Sequence, residues 1–73
     1  MDNNWTAIFS SGNLQKAELV KSLLAHNEIQ SVIVNHQDSL YKFGDIEVYV
    51  NRDDVVKAKY YLTLFLSEEE GTA

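Results

Sequence analysis

Residues 13–29 read Asn-Leu-Gln-Lys-Ala-Glu-Leu-Val-Lys-Ser-Leu-Leu-Ala-His-Asn-Glu-Ile. Leu14, Ala17, Val20, Leu23 and Leu24 recur at spacings of three and four, the stripe of an amphipathic helix. Gln15, Glu18, Lys21 and Ser22 fall largely outside that stripe and can face water. A short hydroxyl can accept from an orphan amide of the first turn, so Ser10 or Ser11 is expected to cap the start. His26 and Asn27 are expected to end the helix, because Asn tolerates the left-handed conformation that closes one. Short apolar runs on both sides offer the stripe a surface to cover.

Upstream, Trp5 to Ser10 is rich in aromatic and β-branched residues, and Trp5, Ala7 and Phe9 alternate with Thr6 and Ile8. This is a strand, followed by the turn cluster Ser10-Ser11-Gly12-Asn13. Downstream, Ile29 to Asn35 holds three consecutive β-branched residues and reads as a second strand. A right-handed parallel crossover is the geometry expected of such a strand–helix–strand unit. Residues 36–45 form a polar connection that carries Leu40, Tyr41 and Phe43 and ends in Gly44-Asp45. Ile46, Val48 and Val50 then alternate with Glu47 and Tyr49, the pattern of a strand with one buried face. Asn51 can cap a second helix, with Asp53 and Asp54 at its positive end. Val55, Ala58, Leu62 and Phe65 mark its stripe. Val56, Tyr60, Leu64 and Leu66 widen that stripe towards a second buried face, and Tyr60 and Tyr61 divide between core and interface.

Strands are therefore expected near 4–10, 30–35 and 45–50, and helices near 12–27 and 52–66. The class is α+β, in the order strand, helix, strand, strand, helix. It is a ferredoxin-like plait lacking its last strand, or with that strand supplied by another chain. Three strands carry two helices on one face. Val20, Leu24, Val48, Ala58 and Leu62 are the expected core. Residues 1–66 make a single domain and 67–73 a disordered acidic tail.

Composition narrows the function classes. The chain has 73 residues and no cysteine, which leaves no disulfide and no thiolate zinc site. No apolar run is long enough to span a membrane, and the start lacks the basic-then-apolar pattern of a signal peptide. A cytoplasmic location is the expectation. The net charge is −5, and leaving out Glu68, Glu69 and Glu70 brings it only to −2. That sign opposes a phosphate backbone, so no nucleic-acid partner is expected.

The order of elements resembles a family of small prokaryotic domains described as putative signal-transducing proteins, grouped near the PII-type (GlnB-like) plaits. The likeness is carried by Trp5 to Phe9, by Ala17-Glu18-Leu19-Val20-Lys21-Ser22-Leu23-Leu24 and by the turn into Ile29. Val32 to Val34, Gly44, the run Val48-Tyr49-Val50 to Asp54, and Lys57-Ala58 complete it. It covers the chain up to about Leu66, and most matching positions are core-type residues shared by many plaits. Where a Glu or Gly usually follows the first helix, this chain has Asn27-Glu28. The resemblance implies a regulatory role and a plait fold, with no catalytic residue to carry over.

The residues themselves supply no reactive constellation. His26, His36 and Asp38 are the only candidate metal cluster, but the two His are ten residues apart in different elements, so neither a metal nor a cofactor is expected. No Ser stands in a Gly-x-Ser-x-Gly turn, and the carboxylates of Asp53 and Asp54 are accounted for by capping. Gly12 precedes a helix but lacks the further glycines and the Lys of a phosphate loop. An enzyme is therefore not expected. The candidate partner-binding residues are Tyr41, Lys42 and Phe43 in the connection, with Tyr49 on the third strand. Folding of Tyr41 and Phe43 back onto the core is the alternative. The expected role is a regulatory or signal-transducing interaction module that binds a protein partner or small ligand. The alternatives are a structural homodimer without ligand and an enzyme of unrecognised type.

Overall fold

The computed structural model describes residues 4–36 and 46–71. Its elements are β1 (Trp5–Ser11), α1 (Leu14–His26), β2 (Ser31–Asn35), β3 (Ile46–Asn51), a 3-10 turn over Arg52–Asp54, and α2 (Val55–Gly71). β3 is the central strand of a sheet ordered β1-β3-β2. Both neighbours run antiparallel to it, so β1 and β2 are parallel to each other with β3 between them. The expected crossover is thus split by the third strand. The result is α+β in the order β-α-β-β-α, the ferredoxin-like plait without its last strand.

Ile46, Val48 and Val50 all point to the helices and are fully buried. With them lie Ala17, Val20 and Leu24 of α1, Ile29, and Ala58 and Leu62 of α2. All five expected core residues are in this cluster. The residues between them on β3, Glu47 and Tyr49, are half-buried and face the other way.

α1 starts and stops by different residues from those expected. Asn13 is the cap: its Oδ1 accepts from the amides of Gln15 at 2.9 Å and Lys16 at 3.3 Å. Ser11 stands one step behind, its Oγ accepting from Asn13 N at 3.0 Å. The Asn carboxamide oxygen reaches two amides from the cap position itself, which a serine two residues earlier cannot do. At the other end Asn27 has φ −101°, and Glu28 takes the left-handed conformation at φ 64°. Glu28 N donates to Ala25 O, and Ile29 N donates to Leu24 O at 2.8 Å. This is a Schellman closure, and its apolar contact is the buried pair Leu24 and Ile29. Asn27 instead donates its side-chain amide to Leu23 O at 2.9 Å.

Two further expectations change. β1 carries a bulge between Ala7 and Phe9: Ala7 pairs with Tyr49 and Phe9 with Val48. Ile8 is the extra residue, so Phe9 does not share a face with Trp5 and Ala7. Ile8 and Phe9 both pack against the core. α2 was expected to end near 66 and continues to Gly71, with Ser67 and Glu68 exposed along it. Ser67 to Glu70 contains no Gly or Pro to stop a helix. The widened stripe on α2 is not buried either: Val56, Tyr60 and Leu64 are exposed, and only Leu66 packs on the core. The expected cap of the second helix is present, Asn51 Oδ1 accepting from Asp53 N at 3.0 Å.

Candidate interaction surface

The sheet has one face under the helices, and its register identifies what occupies the other. Tyr49 pairs with Ala7 on β1 and Val32 on β2, Glu47 with Ser10 and Val34, and Asn51 with Trp5. Directly opposed residues of an antiparallel sheet share a face. Trp5, Ala7, Val32, Val34 and Tyr49 therefore form an apolar field on the side away from the helices. Ala7 is exposed, and the other four are half-buried. Among the described residues no element covers this face, and a contiguous exposed apolar patch is a mark of contact surfaces.

Glu47 supplies its polar element. Its Oε1 accepts from the Tyr49 hydroxyl at 3.1 Å and from His36 Nε2 at 3.0 Å. The carboxylate is an acceptor only, so the ring proton of this contact belongs to Nε2. His36 is one residue beyond β2, and the hairpin register carries it back beside Glu47. The two bonds orient a half-buried carboxylate at the edge of the apolar field. Such a group gives direction to a ligand rather than affinity.

Of the four expected contact residues, Tyr49 lies on this face. Tyr41, Lys42 and Phe43 lie outside the described residues. Trp5, Ala7, Val32 and Val34 join Tyr49 only through strand pairing, and His36 through its bond to Glu47. The alternation of Ile46 to Val50 already set Glu47 with Tyr49 on one face, but the identity of the opposite strands required the register. Among the described residues, no group of three His, Cys, Asp or Glu converges as a metal site. The amides at the start of α1 are engaged by Asn13, which leaves Gly12 as a turn residue rather than part of an anion cradle. A shallow depression of about 420 Å³ lies on the outer side of α1, lined by Leu14, Gln15, Glu18, Leu19 and Ser22. No described helix is long and apolar enough to cross a membrane.

A three-stranded antiparallel sheet with two helices on one face defines a small α+β domain of the ferredoxin-like plait type. Residues 5–64 match the family described as "Putative prokaryotic signal transducing protein", and the chain belongs to that family. The family is described by signalling and not by an enzyme class. No curated protein and no solved structure matches the chain.

Proposed function

We propose that this domain is a non-catalytic module that passes a signal by contact, binding a protein partner or small ligand on the open sheet face around Tyr49. The observation that carries this reading is the apolar field of Trp5, Ala7, Val32, Val34 and Tyr49 beside the oriented Glu47 carboxylate. Membership in a family described as signal transducing supports it. The connection between β2 and β3 stands where PII-type plaits carry a functional loop, and Tyr41, Lys42 and Phe43 are proposed as rim contacts on that analogy. A soluble cytoplasmic setting fits the composition.

The experiment compares the wild-type domain with Ala7→Arg in affinity capture from a prokaryotic lysate. Ala7 is exposed, so a long cation there blocks the face without opening the core. Trp5 is the single tryptophan, and its fluorescence reports occupancy of the same face. Capture by the wild type, with a shift in Trp5 emission that Ala7→Arg abolishes, is the expected result. Equal capture by both proteins would overturn the assignment of the surface. Tyr41→Ser with Phe43→Ser is expected to weaken capture while leaving the melting temperature unchanged. A large fall in melting temperature would instead make the loop a lid on the core.

A further inference from the structure

α2 carries apolar residues on the side turned away from the core. Val56 is 83% exposed, Tyr60 61% and Leu64 47%. They recur every four residues, so at about 100° per residue they form one stripe opposite buried Ala58 and Leu62. A helix with only its core-facing stripe to bury carries polar residues at such positions. Tyr60 is also held in place. Its ring meets that of Tyr61 edge-on with centroids 5.2 Å apart, and Tyr61 packs against the core. A ring already ordered loses little conformational freedom on docking.

The charges beside the stripe identify what covers it. Lys57 and Glu68 are both exposed and lie three helical turns apart on one flank of the stripe. No ion pair within the chain engages either of them among the described residues. Glu68 opens a run of three acids at the negative end of the helix, where the helix dipole opposes them. Two such helices laid antiparallel about a twofold axis bring like flanks together. With Tyr60 of one copy beside Leu64 of the second copy, Lys57 lies next to Glu68 of the second copy, and symmetry repeats the pair. Parallel packing about a twofold axis puts like flanks on opposite sides of the interface, so it forms no Lys57–Glu68 pair and leaves the charge complementarity unused.

We infer that α2 pairs antiparallel with α2 of a second copy of this chain, through Val56, Tyr60 and Leu64 and two symmetric Lys57–Glu68 ion pairs. This goes beyond the reading of the sheet face and does not depend on it. The helices cover one side of the sheet, so the dimer keeps both open faces outward and is bivalent for any ligand they take. A contact of one helix per copy is at the small end of specific interfaces, so the pairing is a weak, concentration-dependent one.

Sedimentation equilibrium of the full chain from about 10 μM to 1 mM tests the pairing. The expected result is a monomer–dimer equilibrium that weakens as salt is raised. Lys57→Glu and Glu68→Lys should each raise the dissociation constant about tenfold, and the double reversal should restore it. Leu64→Glu should leave a monomer. If that variant also melts early, the charge reversals decide, since they alter only exposed side chains. A monomer at 1 mM would overturn the inference, as would a double reversal no tighter than the single ones. So would a dimer that survives Leu64→Glu but is lost in Ala7→Arg.

Discussion

Glu28 holds a backbone conformation, φ 64°, that a side chain with a Cβ enters at a cost of about 1–2 kcal/mol. It does so because the Schellman closure brings Ile29 back onto Leu24, and both are buried. Glu28→Gly relieves the strain but frees the unfolded chain, so the expected net gain is about 0.5–1 kcal/mol. Chemical denaturation measures it, and an unchanged or lower midpoint would contradict the left-handed closure. Ser31 presents the opposite problem. Its Oγ is buried against the helices with no hydrogen-bond partner among the described residues. Ser31→Ala removes a desolvated hydroxyl and should raise stability by about 1 kcal/mol. A loss of similar size would show that the hydroxyl has a partner. Neither feature is legible in sequence: Asn27 is the better left-handed residue by type, and Ser31 looks like any strand serine. The tertiary return of Ile29 and the register of β2 decide both.

At the scale of elements, periodicity is informative wherever a polar residue interrupts it. Ile46 to Val50 alternates apolar with polar, and its buried and half-buried faces follow that alternation residue by residue. Trp5 to Phe9 gives no such contrast, because four of its five residues are apolar. The bulge at Ile8 therefore leaves no mark in the sequence. α2 hides its orientation for the same reason. Apolar residues lie on both of its sides, and only packing separates Ala58 and Leu62 from exposed Val56 and Tyr60. α1 was legible, and its stripe provides the test. Leu24 is fully buried at the crossing of α1, β3 and the helix closure. Leu24→Ala should cost about 2–5 kcal/mol. A loss below about 0.5 kcal/mol would mean that α1 presents another face to the sheet.

The whole molecule is small, and at about 0.05–0.15 kcal/mol per residue its total stability is about 4–11 kcal/mol. One core truncation can consume half of that. Its charge sets a second property. At −5 the chain repels a phosphate backbone, so no retardation of duplex DNA or RNA is expected at about 0.15 M salt. Salt-dependent binding at micromolar protein would contradict this. The proposed contact surface is a property of the whole sheet. Trp5, Val32 and Tyr49 come from three strands and become neighbours only when β3 inserts between β1 and β2. Of the residues on that face, the alternation of β3 makes only Glu47 and Tyr49 legible as neighbours. The most direct test is a titration of the isotope-labelled domain with its captured partner, followed by amide chemical shifts. The expected shifts fall on Trp5, Ala7, Val32, Val34, Glu47 and Tyr49. Shifts confined to the outer sides of α1 and α2, with those six unmoved, would contradict a signal passed through the open sheet face.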